Sequence, residues 1–369
     1  MSSDLAGSIP RLKRLLPRFR RLHIAVLGDV MLDRYVWGHA NRLSPEAAVP
    51  VVDYVEQQDR PGGAGNVAAN IAALGTHAEA FGVIGRQKAG GRGIESGKIP
   101  PDEAGVALQN CLRKAGIGDH GIIADPERVT TLKTRIIARH QQIVRIDHER
   151  RDPLSPQTEE KLFRLFVAAM KKLDGLVLSD YDKGLLGDEF TDRVLRAAHQ
   201  SKVPVFVKPK NSRRLPYNGA RVIVCNLKEA AHYVAHALPD EKSVIEAGHA
   251  LLGHFGCAAV VITRGGQGMT IFEEVSPRHV HIPATSFEVT YARVGQPGIE
   301  RGATGRQVFD VTGAGDTVLS TLSLGLAAGA DLPEAALLAN VAAGVVVGKL
   351  GTATVTPAEL AAALDEIRL

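Results

Sequence analysis

The residues of this chain best suited to do chemistry are Asp310-Val-Thr-Gly-Ala-Gly-Asp316-Thr317. A β-type run, Arg306 to Val311, leads into them, and an Ala/Leu-rich helical pattern, Val318 to Ala328, leads out. That order predicts Gly313-Ala314-Gly315 at a helix N-terminus. Exposed backbone amides and the positive end of the helix dipole make such a place a site for an anion. Glycine also lets the backbone come close to a phosphate. Asp316 gains nothing from facing a phosphate unless it has its own task. The natural one is to take the proton of a hydroxyl as that hydroxyl attacks phosphorus. A lone GxGD can also be a tight turn with Asp316 as a dipole-favoured first-turn residue. The rest of the chain has to decide between the two.

Two further stretches bear on that choice. Arg60-Pro-Gly-Gly-Ala-Gly-Asn66 reads as a second glycine-rich turn that opens a helix, Asn66 to Leu74, closed by Gly75. Asn226-Leu-Lys-Glu229 opens a helix after a strand ending in Cys225. Asn with Glu three residues on is an ordinary capping box. It could also hold a hydrated Mg²⁺, which keeps most of its waters and takes few protein ligands. Other chemistries lack their residues. Gly63-Ala-Gly65-Asn-Val-Ala68 matches the dinucleotide pattern only formally, because Arg60-Pro61 precedes it where a strand should end. Gly91 to Lys98 is no P-loop, and there is no HExxH and no GxSxG.

The 369 residues can form one large α/β domain or two smaller ones, with 45% hydrophobic and 23% charged residues as in an ordinary globular protein. A net charge of only +4 offers no argument for nucleic acid. Cys111, Cys225 and Cys257 stand far apart, which suits a reducing compartment and gives no zinc signature. Arg11, Lys13, Arg14, Arg18, Arg20 and Arg21, with leucines between, read as a basic solvated helix or a frayed arm over residues 1–21. No apolar run is long enough to span a bilayer, and no secretory h-region follows the basic residues. The expected location is the cytoplasm, with no membrane and no nucleic-acid partner.

The elements that must position these residues follow a βα rhythm. Strands are expected at His23–Leu27, Ala78–Ile84, Gly175–Ser179, Val203–Val207, Arg221–Cys225, Ala258–Thr263 and Met269–Phe272, with helices between them and three helical patterns after Asp316. Such repetition predicts a mostly parallel sheet with helices on both faces. Tyr35–Tyr54 reads as short strands broken by Gly38, Pro45 and Pro50, and Leu132–His148 as alternating, charged strands. These two segments do not fit the rhythm and predict a small separate lid sheet. Gln87–Pro101 and Thr285–Gly305 carry no hydrophobic period and read as surface insertions.

Taken together, the glycine turn, Asn226-xx-Glu229 and Asp310–Thr317, in that order, resemble the ribokinase-like (PfkB) carbohydrate kinases from about Leu22 onward. Within that family the chain is most similar to the D-glycero-β-D-manno-heptose-7-phosphate kinases. That likeness rests on Gly28-Asp-Val-Met-Leu-Asp33-Arg-Tyr35, Ser44-Pro-Glu-Ala47, Arg60 to Asn66, Lys133 to Gln142, Arg145-Ile-Asp147, Tyr181-Asp-Lys-Gly184 and Gly348 to Ala353. The resemblance implies ATP-dependent phosphorylation at C1 of heptose 7-phosphate, a step towards ADP-heptose and the lipopolysaccharide core. It implies Asp316 as base, with Gly313, Ala314 and Gly315 as the anion hole. Asp33, Gly62, Gly63, Asn66 and Glu149 would hold sugar hydroxyls, and Arg86, Arg139 and Lys183 are candidates for the 7-phosphate. ATP would lie on Asn226, Leu227, Lys228, Glu229, Thr263, Gly265 and Asn340, with Mg²⁺ held by Asn226 and Glu229 through water. A homodimer paired through the lid is implied as well.

The chain also departs from the family pattern. The family usually runs straight from Gly-Arg to Asp-Glu-Ala-Gly, whereas here Arg86 and Asp102-Glu-Ala-Gly105 are separated by the first irregular stretch. Val207-Lys208-Pro-Lys210 carries lysine where the family typically has Asp. Some relatives fuse a nucleotidyltransferase with an HxGH motif, which this sequence lacks, so a kinase standing alone is expected. Two other functions stay open: a kinase of another acceptor, such as fructose 1-phosphate or 6-phosphate, and a noncatalytic sugar- or nucleotide-binding regulator. The intact GAGD and Asn226/Glu229 pair disfavour the regulator.

Overall fold

A computed structural model describes residues 7–87, 100–139, 141–210, 217–285, 313–349 and 353–367. Among these, nine strands form the main sheet in the order β13-β12-β11-β10-β9-β8-β1-β4-β5. Their ranges are β1 His23–Gly28, β4 His77–Gly85, β5 Gly118–Asp125, β8 Gly175–Ser179, β9 Val205–Lys208, β10 Val222–Asn226, β11 Ala259–Thr263, β12 Met269–Glu273 and β13 Ser276–Ile282. From β5 through β1 to β11 all pairings are parallel, and β12 and β13 close one edge antiparallel.

The strand sequences show why helices must cover both faces. In β1, Ile24 and Val26 join one buried cluster while Ala25 and Leu27 join the other. β10 divides in the same way, with Val222 and Val224 on one side and Ile223 and Cys225 on the other. Continuous apolar runs of this kind belong to strands buried on both faces. One face carries α1 (Ile9–Leu15), α2 (Ala64–Ala73), α3 (Glu103–Lys114), α8 (Ala314–Ala327), α9 (Leu332–Val347) and α10 (Pro357–Glu366). The opposite face carries α4 (Pro156–Ala169), α5 (Asp188–Gln200), α6 (Leu227–Val234) and α7 (Glu241–Phe255).

A second sheet, β3-β2-β6-β7, stands apart from this sandwich. It consists of β2 Val30–Leu43, β3 Pro50–Gly63, β6 Thr131–Ala138 and β7 Gln141–His148. The expected lid is therefore present, but its first two strands are long rather than short. Gly38 sits at a register shift between β2 and β3, so the glycine bends the pairing without ending it. Arg60 to Gly63 is likewise the end of β3 and not a turn, and the chain passes directly into α2. Gly63, at φ 57°, makes that change of direction.

The basic N-terminus is not a solvated arm over its described length. Leu12, Leu15, Leu16 and Phe19 are buried in the main core, while Arg11 reaches Glu334 at 3.0 Å and Lys13 reaches Asp365 at 2.7 Å. The leucines between the basic residues were the signal, because at helical spacing they make one apolar face. Strands β5 (Gly-Asp-His-Gly-Ile-Ile-Ala-Asp) and β13 (Ser-Pro-Arg-His-Val-His-Ile) were not expected from sequence, since neither carries a continuous apolar run or a regular alternation. No helix among the described residues is long and apolar enough to cross a membrane.

The interiors of the two expected insertions, 88–99 and 286–305, lie outside the described residues, as does the strand expected at 306–311. The ends of the first insertion can be placed. The Gln87 N–H donates to the Pro100 carbonyl at 3.0 Å, and Asp102 N–H donates to Gly85 at 3.0 Å. The chain thus leaves and re-enters at one point, so Arg86 and Asp102 are neighbours in space.

Candidate active site

In an open parallel sheet, ligands bind beyond the carboxyl ends of the strands where the strand order reverses. Here that place lies between β1 and β8, because the chain runs from β1 outward to β4 and β5 and then returns to β8. The ends of β1, β8, β9, β10 and β11 carry Asp29, Asp180-Tyr181, Lys208, Asn226 and Thr263, respectively.

The N-terminus of α8 faces this edge. Gly313, at φ 87°, caps the helix, and its carbonyl accepts from the N–H groups of Asp316 and Thr317 at 2.9 and 3.0 Å. The amides of Ala314 and Gly315 belong to the first turn, where the helix itself supplies no acceptor. Asp316 is 4% exposed, and its carboxylate is held from three directions. Oδ2 accepts from Asn66 Nδ2 at 2.7 Å, while Oδ1 accepts from the Tyr181 hydroxyl at 2.6 Å and from Lys208 Nζ at 2.6 Å. At the next residue Thr317 Oγ1 donates to Asn70 Oδ1 at 2.9 Å, and about one turn further along Ser320 Oγ donates to the Val67 carbonyl at 3.0 Å. These bonds tie α2 to α8, next to the glycine-rich segment and Asp316.

Tyr181 is positioned by Asp29. One oxygen of this buried carboxylate accepts from the N–H groups of Tyr181 at 2.8 Å and Lys183 at 3.1 Å. Burial nevertheless raises the Asp29 pKa, with those amides opposing the rise. Burial and then the neighbouring Asp316 charge also push the Tyr181 hydroxyl up, so it stays protonated and acts as a donor. For Lys208, burial works against the charge, but the adjoining Asp316 carboxylate, together with Tyr181 and Glu229, raises the pKa all the same.

On the lid side, Asp33 Oδ1 meets Arg135 at 2.5 Å, and the guanidinium lies 5.2 Å from the centre of the Tyr35 ring. Burial raises the Asp33 pKa in spite of Arg135, and Asp316 is close enough to add to the rise. Gly62 is where a side chain would intrude on this carboxylate: a β-carbon there would lie 2.8 Å from Asp33 Cγ. Gly62→Ala should therefore displace Asp33 while leaving the sheet paired. The expected result is a lowered melting temperature with an unchanged far-UV circular-dichroism spectrum.

Glu149 lies in a basic surround. Lys183 Nζ and Arg151 both bond to its Oε1, at 2.8 and 2.9 Å, and Lys133 approaches Oε2 at 3.5 Å. Burial would raise its pKa, but these cations win and hold it below the usual carboxylate range. Arg139 falls elsewhere. It follows the last residue of β6 and bonds to Asn41 at 3.2 Å. Asp33 pairs with Lys133 in register, so Arg139 lies six residues, roughly 20 Å, along the lid from Asp33. Arg86 opens the first insertion, with its backbone N–H donating to Asp125 at 3.1 Å.

Asn226 and Glu229 form a complete capping box, each side chain bonding the other's backbone N–H at 2.9 Å. Leu227 and Lys228 are the first residues of α6 inside that cap. Thr263 ends β11 with its hydroxyl 3.4 Å from the Cys225 carbonyl, and Gly265 follows at φ 57°. Asn340, on α9, donates to the Pro283 carbonyl at 2.7 Å beyond the end of β13. As a test of fit for magnesium, the described residues hold no cluster of three or more Asp, Glu, His or Cys side chains. One oxygen of Glu229 and the single side-chain oxygen of Asn226 are engaged in the cap. These donors suit an ion held through waters and nucleotide phosphates better than one enclosed by protein ligands.

Residues 21–359 match the family model described as pfkB family carbohydrate kinase. The chain belongs to that family. Its fold is that of Arabidopsis thaliana ribokinase complexed with ribose and ATP (TM-score 0.67, 16% identity, 93% of this chain and 98% of that one). It is also that of Escherichia coli phosphofructokinase-2 in complex with substrates and products (TM-score 0.69, 17% identity, 94% and 98%). Among curated relatives, the bifunctional protein HldE of Geobacter sulfurreducens is 42% identical over 343 residues, covering 93% of this chain and 63% of the relative. The HldE of Pseudomonas putida is 42% identical over 359 residues, covering 96% and 66%. The chain thus spans just under two thirds of the length of these relatives.

Sequence reasoning picked out Asp316, Asn66 and the capping pair, and the fold brings them to one edge. It assigned no role to Asp29, Asn70, Arg135, Tyr181 or Lys208. The available signals were the acid directly after β1, Tyr181-Asp-Lys-Gly184 directly after β8, and a lysine where the family has Asp. Each became meaningful only when the strand order was known.

Proposed function

We propose that this sugar kinase transfers the γ-phosphoryl group of ATP to the anomeric C1 hydroxyl of D-glycero-β-D-manno-heptose 7-phosphate, giving the 1,7-bisphosphate. The observation that carries the phosphotransfer part is the placement of Asp316. It is a buried carboxylate on the first turn of α8, beside amides that can receive an anion, at the reversal point of the sheet. In this reading Asp316 takes the acceptor proton, while Gly313, Ala314 and Gly315 receive the transferring phosphoryl group. Asn66 and Tyr181 orient the base. Asp33 and Glu149 bind sugar hydroxyls beside Gly62 and Gly63, and Lys183 is the best-placed cation for the 7-phosphate. ATP runs from the Asn226–Glu229 cap past Thr263 and Gly265 toward Asn340. Magnesium, when bound, would screen the β- and γ-phosphates.

The heptose acceptor is supported by the sequence words shared with heptose-7-phosphate kinases and by the 42% identity to proteins named HldE. A lid-to-lid homodimer is part of the same reading. Tyr54 and Val55 on β3 and Val144 and Ile146 on β7, the two edge strands of the lid, are exposed apolar side chains that a second lid could cover.

The test is a coupled ADP-release assay over heptose, hexose and nucleoside acceptors, with and without a terminal phosphate. Heptose 7-phosphate is expected to give a kcat/KM at least about ten-fold above any other acceptor. Preference for a fructose phosphate would reassign the acceptor, and silence across the panel would favour a noncatalytic binding role.

A further inference from the structure

Lys208 has no part in the division of labour above, and the family resemblance supplies none, because it carries Asp at this position. The residue ends β9, and its carbonyl accepts from the Asp180 N–H at 3.2 Å, which fixes the backbone. Nζ lies 2.6 Å from Asp316 Oδ1 and 3.4 Å from the Tyr181 hydroxyl, and it stands 5.3 Å from the centre of the Tyr181 ring. It also overhangs the first turn of α8. A β-carbon placed on Gly315 would be 3.3 Å from Nζ and 3.6 Å from Cε. The ammonium therefore sits between the proposed base and the amides proposed to receive the phosphoryl group.

A cation in that place has two successive partners. Before transfer it neutralises the Asp316 carboxylate. During transfer the acceptor O–H bond breaks and its proton goes to that carboxylate, which loses its charge. The electron pair left on the acceptor oxygen forms the new O–P bond. The bond from the γ-phosphorus to the β–γ bridging oxygen breaks, and its pair departs with ADP. The ammonium keeps all its protons throughout, and at the moment it loses its first counter-ion, negative charge lies on the phosphoryl oxygens above Gly315. Burial alone would favour loss of the Lys208 proton, but the pairing with Asp316 holds its pKa above the ordinary lysine value.

We infer that Lys208 is a catalytic residue of phosphoryl transfer, clamping Asp316 in the resting site and passing its charge to the transferring phosphoryl group. This rests on the kinase reading of the site. Its test compares full-length wild type, Lys208→Met and Lys208→Arg in the ADP-release assay. Lys208→Met is expected to lower kcat on the order of 10²–10³, the range for losing one donor to developing charge, with the KM for ATP and for sugar within about three-fold. Lys208→Arg, which keeps the charge, should retain at least about ten-fold more kcat than the Met variant at a similar melting temperature.

Wild-type or higher kcat in Lys208→Met would overturn the inference, because the lysine would then be a spectator or a brake. Equal losses in both variants with lowered melting temperatures would also overturn it, in favour of packing. If wild type releases no ADP with heptose 7-phosphate, the acceptor reading fails by itself. The three proteins are then compared on slow ATP hydrolysis, with water as the acceptor, and the same loss or retention decides the role of Lys208.

Discussion

Asp316→Asn is expected to lower kcat on the order of 10²–10⁴ while the Kd for ATP stays within about two-fold of wild type. The substitution keeps the shape of the side chain and removes its capacity to take a proton, together with the negative charge that faces Lys208. Its structural cost can be followed atom by atom. Tyr181 and Lys208 both donate to Oδ1, which the amide can retain as its oxygen. The new NH₂ would then face Asn66 Nδ2, donor against donor. A flip of the Asn66 amide would cure this by presenting its oxygen, at the expense of the 3.5 Å contact between Asn66 Oδ1 and Asn70 Nδ2. The variant should therefore fold and bind nucleotide. Steady-state ADP release measures the first quantity and calorimetric titration of ATP the second. Near-normal turnover would remove Asp316 from the role of base.

Arg135→Ala should cost about 3–5 kcal/mol of stability at neutral pH, the usual penalty for leaving one member of a buried ion pair behind. The Asp33 side chain is only 6% exposed and the Arg135 side chain 13%, so removing the guanidinium leaves a largely buried carboxylate without its ion partner. The pH dependence has a definite sign. Burial already raises the Asp33 pKa above its unfolded value with Arg135 present, and loss of the cation raises it further. A folded carboxyl with a raised pKa favours folding in its protonated form. Stability is then lost as pH rises through the window between the unfolded and folded pKa values, and regained on acidification. The melting deficit of Arg135→Ala should therefore shrink between pH 7.5 and pH 5. It should also shrink at pH 7.5 in the double variant Arg135→Ala/Asp33→Asn, which removes the stranded charge. A pH-independent deficit, unchanged in the double variant, would mean that Arg135 stabilises through its stacking on Tyr35.

The heptose reading and the lid dimer lean on different parts of the molecule, so they can fail separately. The acceptor reading depends on the roles proposed for Asp33, Glu149 and Lys183. The dimer depends on the outer lid strands, where Val55 and Ile146 are more than half exposed.

Much of this architecture was legible in the residues. Apolar runs such as Ile24 to Leu27 and Val222 to Cys225 require a sheet covered on both faces, and the charged alternation of Leu132 to His148 requires a separate sheet. Glycine spacing and the following helical pattern placed Asp316 at a helix N-terminus. These are local properties, set by hydrophobic period and backbone stereochemistry within about ten residues. The N-terminal segment shows where a local reading stops. Its basic residues suggested solvation, and only the core that this segment shares with distant elements such as α9 and α10 buries Leu12 and Phe19. The partners of Asp316 stop it altogether. Asn66, Tyr181 and Lys208 are 250, 135 and 108 residues away along the chain. Tyr181 and Lys208 converge because β8 and β9 lie side by side in parallel and end at one edge, and Asn66 arrives on α2, which is bonded to α8 there. Sequence by itself determined that an acid would stand on a glycine-rich helix start. Tertiary structure alone decided that a lysine, a tyrosine and an asparagine would grip it there, because strand order acts over distances that no local pattern encodes.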